Sequence, residues 1–230
     1  MQETAIAQPN IALIKYWGKR DTQRNLPAVG SISITLRELF TRMAVEFDAS
    51  LGADTLTVNG APDHAMLPRL ASCLDRIAGP ERHRARIASD CNFPIAAGLA
   101  SSALAFAAIT VAAAAAADKE LDRDSLASLA GQASGSAARS LFGGYVELKN
   151  MDNDIRCATI ADAAAWPLSV VVAITEAGPK AVGSSAARDI SRLPAQVGSA
   201  WIERQDEGLG WARAALVVRD VGRLAAGTAH

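Results

Sequence analysis

The sequence has few of the residues that mark several common classes of protein. It contains three cysteines in 230 residues, and their scattered positions without CxxC spacing exclude a disulfide framework and favour a reducing compartment. Its three histidines are equally scattered, so the sequence reveals neither a metal cluster nor a Ser-His-Asp grouping. The formal net charge of -1 gives no electrostatic footprint for nucleic acid. The three cysteines are Cys73, Cys91 and Cys157.

Long apolar runs are also lacking. The amino terminus has no apolar core of the kind that marks a signal peptide. The most apolar stretch, SALAFAAITVAAAAAAD, is dominated by alanine and is too short and weak for a membrane span. It predicts a buried, closely packed helix in a cytoplasmic protein without a membrane partner. The basic cluster at residues 82–86 predicts a solvated surface.

Hydrophobic residues make up 50% of the chain, enough for a sizeable core. Period-2 alternation and runs of β-branched residues predict strands, whereas apolar and alanine-rich segments predict helices. Their mixed order favours an α+β fold, with a soft boundary between domains at residues 1–165 and 166–230. The predicted strands are 10–18, 31–36, 41–49, 55–60, 85–95, 145–150 and 168–175. The first predicted helix begins after Ala100. The other predicted helices cover 122–132, part of 134–144, 184–191 and 199–226.

The stretch FPIAAGLASSALAF places a glycine and two serines at the start of the alanine-rich helix. A helix amino terminus carries unpaired N–H groups and the positive end of the dipole. Gly98 would allow an anion to approach the backbone, and Ser101 and Ser102 would add hydroxyl donors. The residues alone fit a phosphate site and a simple capped helix equally well.

A second group is SGSAAR, where two serines and a glycine precede an arginine. If Ser136 opens a helix, Arg139 lies in its first turn and can reach toward an anion at the same terminus. The alternative is a capped helix with a solvated arginine.

Two further motifs carry cations or hydroxyls. IKYWGKRD places lysines beside aromatic residues at the end of a strand, and GPKAVGSS places a lysine and serines at a predicted helix start. Each alone also fits an ordinary strand end or cap. Four candidate anion sites in one chain indicate phosphoryl transfer or related chemistry.

These motifs together resemble a known family. PNIALIKYWGKRD, LPAVGSISITL, NFPIAAGLASSALAF, SGSAARSLFGGYVEL and GPKAVGSSAA are similar to segments of the diphosphomevalonate decarboxylases, within the GHMP kinase superfamily. The resemblance implies an α+β, GHMP-kinase-like amino-terminal part, also described as ribosomal protein S5 domain 2-like. It implies an incomplete carboxy-terminal α/β layer after residue 165.

The resemblance also implies an activity. ATP with Mg²⁺ would phosphorylate the 3-hydroxyl of mevalonate 5-diphosphate, and loss of phosphate and CO₂ would give isopentenyl diphosphate and ADP. One alternative is a related kinase that does not decarboxylate. Another is an impaired fragment that binds nucleotide or diphosphate. A homodimer is the assembly that the resemblance implies.

The resemblance assigns roles to particular residues and no metal ligands. Arg139 would orient the substrate carboxylate, and Lys15 would support catalysis. The residues matching substrate-binding positions are Tyr16, Lys19, Ser134, Gly135, Ser136, Arg139, Ser184 and Ser185. Those matching the ATP phosphate loop are Pro94, Gly98, Leu99, Ala100, Ser101 and Ser102.

The sequence departs from the family at its end and at single positions. Family members carry an aspartate in a DAGP-like segment of their carboxy-terminal portion, and no such segment occurs here. We expect that the chain is truncated, that its end is replaced, or that its catalysis is impaired. Ser185 stands where the family often has arginine. Leu104 replaces a small residue, and its size is expected to crowd the helix packing.

Overall fold

The computed structural model describes residues 1–15, 18–93, 101–171 and 195–228. Its elements alternate without a regular βαβ order, which confirms the α+β class. The strands are β1 (Gln2–Ala7), β2 (Asn10–Ile14), β3 (Lys19–Asp21), β4 (Leu26–Pro27), β5 (Ser31–Thr35), β6 (Thr41–Asp48), β7 (Thr55–Val58), β8 (Ala61–Pro62), β9 (Arg84–Cys91), β10 (Tyr145–Asn150) and β11 (Ile155–Ala161). The helices are α1 (Leu67–Ala78), α2 (Ser101–Ala116), α3 (Arg123–Ala133), a 3-10 helix (Ala137–Leu141), α4 (Ala195–Val218) and α5 (Val221–Thr228).

The first layer is a five-stranded sheet of order β1-β6-β9-β7-β8. Helices α1 and α2 cover one face of it, and their apolar side chains form a single core with Met43, Val45 and Ile87 from the sheet. Helix α1 buries Leu70, Cys73, Leu74 and Ile77, the spacing of one helical face.

Helix α2 is apolar all round, as the alanine-rich run predicted, and most of its side chains are buried. Alanine allows close approach to both the sheet and the neighbouring helices. Leu104 is fully buried in this core, so the larger side chain is enclosed rather than displaced. No helix in the described ranges is long and apolar enough to cross a membrane.

The second layer is a four-stranded sheet of order β11-β10-β5-β2. Strand β5 alternates in sequence between serine and isoleucine, so its two faces differ. Ile32 and Ile34 pack with Leu209 and Leu216 of α4. Ser31 and Ser33 face the opposite side, where the 3-10 helix lies.

Helix α3 begins and ends as its sequence predicts. Asp122 is its N-cap, since its carboxylate accepts a hydrogen bond from the Ser125 N–H at 2.7 Å. The chain breaks at Ser134, forms the 3-10 helix and enters β10 through Gly144. Gly144 has a φ of +78°, and a Cβ atom there would collide with the Ala161 carbonyl, so only glycine suits this turn.

Several boundaries differ from the sequence prediction. Residues 168–171 of the predicted strand 168–175 are not in a strand, and its remainder lies outside the described residues, as does the predicted helix 184–191. The predicted helix 199–226 is two helices, because Arg219 takes a positive φ of 57° between them. Helix α1 and strands β1, β3, β4, β8 and β11 were not predicted. The domain division at residue 166 stays a prediction.

The prediction that the basic cluster is a solvated surface is wrong for Arg82. Its side chain is 3% exposed and forms two hydrogen bonds of 2.8 Å to Asp54, while its Nε lies 2.9 Å from Asp75. Its guanidinium also lies 5.8 Å from the Phe47 ring centroid. By contrast Arg86 is 54% exposed and pairs with Glu46 at the surface. Arg82 therefore joins the residue before β7, helix α1 and strand β6 around one buried charge.

This ion pair makes stability depend on pH. The hydrogen bond from Arg82, more than any other contact, lowers the pKa of Asp54 below its ordinary value. A carboxyl whose folded-state pKa is depressed stabilises the protein above its unfolded-state pKa of about 3.9, and that contribution is lost as pH falls through the folded-state value. We therefore expect the destabilisation caused by Asp54→Asn to be large near neutral pH and to shrink below about pH 4. Urea unfolding of both proteins across this range measures it, and a pH-independent difference would contradict the expectation.

Candidate functional site

The centre of the candidate site is Arg139, a buried cation on the 3-10 helix with 2% exposure. Its guanidinium donates from Nε to Ser33 Oγ at 3.0 Å, from Nη1 to Ser31 Oγ at 2.5 Å and from Nη2 to Asn10 Oδ1 at 3.1 Å. These three oxygen acceptors fix the plane of the guanidinium. A cation held in this way is suited to an anionic group of a ligand.

Asn10 ties the 3-10 helix to the sheet. Its Nδ2 donates to Ser140 Oγ at 2.7 Å and to the Ser136 carbonyl at 3.1 Å, while its Oδ1 accepts from Arg139. One buried amide therefore fixes both ends of the short helix and the arginine between them. Sequence reasoning did not single out Asn10, although it is part of the quoted motif PNIALIKYWGKRD.

Contacts with the sheet set the orientation of Arg139. Ser136 precedes the 3-10 helix as predicted, but its side chain makes no capping hydrogen bond. The described hydrogen bonds of Arg139 go to strands β2 and β5, rather than to the start of its own helix. The alternative of a solvated arginine is wrong, because the Arg139 side chain is buried.

Ser134 and Gly135 connect α3 to this helix. Ser134 is buried, and its carbonyl accepts from the Ala137 N–H at 2.7 Å. Gly135 is buried, and Ser136 is half-buried. The structure therefore brings Ser134, Gly135 and Ser136 next to Arg139 and Asn10, which makes this turn a wall of the candidate site.

The two predicted lysines lie where β2 ends and β3 begins. Lys15 is exposed, and its carbonyl accepts from Gln205 Nε2 of α4 at 2.7 Å. Lys19 is half-buried and pairs with Pro27 in the two-stranded sheet. Tyr16, between them, lies outside the described residues. The catalytic role of Lys15 stays a prediction.

The predicted phosphate loop meets the start of α2. Helix α2 begins at Ser101 and runs 16 residues, and its first turn carries no acidic residue. Such a terminus favours an anion, because unpaired N–H groups and the helix dipole act together. Ser102 is half-buried there. Outside the described residues lie Pro94, Gly98, Leu99 and Ala100 of the loop, and also Ser184 and Ser185.

The described part of the chain contains no cluster of three or more His, Cys, Asp or Glu side chains that could hold a metal ion. All three cysteines are free, as predicted. Burial raises the pKa of Cys157 to about 12, so its thiol stays protonated and unreactive at neutral pH.

Comparison with known proteins defines the class of this fold. Mevalonate diphosphate decarboxylase from Staphylococcus aureus superposes with a TM-score of 0.84 at 32% identity, over 99% of this chain and 70% of that chain. The structure named MDDEF in complex with MVAPP, AMPPCP and magnesium gives a TM-score of 0.86 at 28% identity, over 99% and 72%. The fold is therefore that of the GHMP kinases, as the motifs implied.

The family follows from the sequence comparisons. Residues 7–159 match the family model described as the diphosphomevalonate decarboxylase-like N-terminal domain. The diphosphomevalonate decarboxylase of Eremothecium gossypii is 39% identical over 181 residues, which are 70% of this chain and 46% of that relative. The chain belongs to the diphosphomevalonate decarboxylase family. It spans about half the length of the curated relatives it matches.

Proposed function

We propose that this chain carries out ATP-dependent decarboxylation of mevalonate 5-diphosphate, giving isopentenyl diphosphate, ADP, phosphate and CO₂ in the mevalonate pathway. The observation that carries the proposal is the buried guanidinium of Arg139, fixed by Ser31, Ser33 and Asn10. Family membership supplies the reaction, and relatives named as diphosphomevalonate decarboxylases support it.

Arg139 would hold the substrate carboxylate in place. A guanidinium forms paired hydrogen bonds with a carboxylate and fixes its orientation. Orientation matters because CO₂ departs as positive charge develops at C3, and the breaking bond must stay aligned with the leaving group. Ser134, Gly135 and Ser136 line the same wall and would contact the diphosphate together with Tyr16, Lys19, Ser184 and Ser185.

The start of α2 would hold the ATP phosphates. ATP supplies the phosphoryl group that makes the tertiary 3-hydroxyl a good leaving group. By resemblance, Ser101 and Ser102 would contribute hydroxyl donors to this terminus, and Pro94, Gly98, Leu99 and Ala100 would complete the loop. Mg²⁺ prefers oxygen ligands and keeps several waters. We expect it to be bound together with ATP through the phosphate oxygens.

We also propose a cytoplasmic location and a homodimer. The three free cysteines, two of them buried, suit a reducing compartment. The homodimer rests on the family resemblance, and analytical ultracentrifugation of the purified chain tests it.

The test of the function is an assay of the 230-residue protein with ATP, Mg²⁺ and mevalonate 5-diphosphate that measures ADP and CO₂ together. We expect equal amounts of both products, and none when ATP is omitted. ADP without CO₂ would contradict decarboxylation and identify a kinase. If folded protein forms neither ADP nor CO₂, that result would contradict catalysis by this chain, and only a binding role would remain.

A further inference from the structure

The helical layer carries a cavity of about 280 Å³ that the candidate site does not use. It opens to solvent where α1, α2 and the end of α3 meet. Phe106 of α2 forms its floor, and Gln132 and Ala133 of α3 form one wall. The described lining residues are Pro68, Arg69, Ser72, Cys73, Arg76, Phe106, Gln132 and Ala133.

The charged side chains among the described residues of this groove are all positive. Arg69 and Arg76 lie seven residues apart on α1, about two turns or 10 Å along the axis. Neither guanidinium forms a hydrogen bond or ion pair with another described residue, and no carboxylate is among the described residues of the lining. Asp75, the acidic neighbour of Arg76 in sequence, lies 2.9 Å from Arg82 instead.

Arg69 is held in place although it has no acidic partner in the described ranges. Its Cζ lies 4.7 Å from the centroid of the Phe106 ring, and partial burial lowers the pKa of Arg69 from its ordinary value. A guanidinium stacked on a ring keeps its in-plane N–H groups for other partners. The Arg69 side chain is therefore partly ordered before a ligand binds, which lowers the entropy cost of binding.

We propose that this groove binds a small organic anion or polyphosphate through two oxyanion groups, one at Arg69 and one at Arg76. Guanidinium groups recognise phosphate and carboxylate oxygens by paired hydrogen bonds. The Ser72 hydroxyl lies between the two arginines on the same face of α1. The apolar side chains of Phe106 and Ala133 in the lining suit the middle of such a ligand. This inference does not depend on the proposed function, because none of the residues assigned to substrate or ATP lines the groove.

The experiment follows arginine Nε–H signals by NMR while the full chain is titrated with sodium pyrophosphate or, separately, with citrate at constant ionic strength. Loss of a signal in Arg69→Gln and in Arg76→Gln assigns each arginine. We expect the two signals to shift together and to saturate at one midpoint with at least one anion. Saturation with pyrophosphate alone identifies phosphate as the ligand group, and saturation with citrate identifies carboxylate. The Arg139 signal reports separately on pyrophosphate bound at the candidate substrate site.

Variants make the test specific. Arg69→Gln is expected to weaken the binding reported by Arg76 by about tenfold or more, because it removes charge-assisted hydrogen bonds. Arg123→Gln is the matched control, since Arg123 also lies over a phenylalanine, 5.4 Å from the Phe142 ring centroid, but does not line the groove. It should leave the midpoint unchanged. Shifts that do not saturate in the wild-type chain, or a midpoint unaffected by Arg69→Gln, would overturn the proposal.

Discussion

Replacing Arg139 with glutamine is expected to lower kcat/KM for ATP-dependent CO₂ release from mevalonate 5-diphosphate by about 10²–10³-fold, the usual cost of removing one preorganised electrostatic contact. The guanidinium is buried, and Ser33, Ser31 and Asn10 hold it in one plane, ready for paired hydrogen bonds with the substrate carboxylate. Glutamine keeps a polar amide but loses both the charge and the fork of N–H donors. Steady-state kinetics with ADP and CO₂ detection measures the change.

The matched control is Arg156→Gln. Arg156 is 64% exposed and pairs with Asp124 at the surface, so its loss should leave kcat/KM unchanged. Calorimetric titration with mevalonate 5-diphosphate gives a second readout that requires no turnover, and binding should be weakened in Arg139→Gln alone. If Arg139→Gln and Arg156→Gln have the same kcat/KM and the same affinity for mevalonate 5-diphosphate, Arg139 does not hold the substrate.

The largest effect on stability is expected from Arg82→Ala, which should lower the free energy of unfolding by about 3–5 kcal/mol, as is usual when one partner of a buried ion pair is removed. The Asp54 side chain is 10% exposed and would keep only the hydrogen bond from the Ala85 N–H, at 2.7 Å. The contact with the Phe47 ring would also be lost.

Arg86→Ala is the comparison for this prediction. Arg86 lies four residues further along the chain and forms an ion pair that is largely exposed, so we expect a loss below about 1 kcal/mol. Urea unfolding followed by circular dichroism measures both variants under one condition. A loss of similar size in the two would mean that burial of Arg82 contributes nothing to the strength of its ion pairs.

The sequence predicts those parts of the fold whose cause is local. The alternation of serine and isoleucine at 31–35 predicts a strand with one polar face, and Asp122 predicts the start of α3. Helix α1 carried a readable signal as well, since its buried Leu70, Cys73, Leu74 and Ile77 follow helical spacing. Pro68 does not break that helix, because proline is tolerated in the first turn.

The parts that could not be predicted depend on partners distant in sequence. Arg82 looks like its neighbour Arg84 in the sequence, and it is enclosed by partners distant from it, among them Asp54, 28 residues away, and the Phe47 ring. The motif around Arg139 indicated an anion site, but its orientation depends on serines more than 100 residues earlier. Pattern alone identifies the residue type that a site needs, whereas packing decides which way it points.

The hydrogen bonds of Asn10 have a consequence for folding. They join residues 126 and 130 positions apart, so the arginine cannot be oriented until the two ends of this region have met. Contacts of such high sequence separation are made late, after the entropy of closing a long loop has been overcome. Binding competence should therefore arise in the last cooperative step of folding, and a partly folded chain would contain helices α2 and α3 without a working anion site between them.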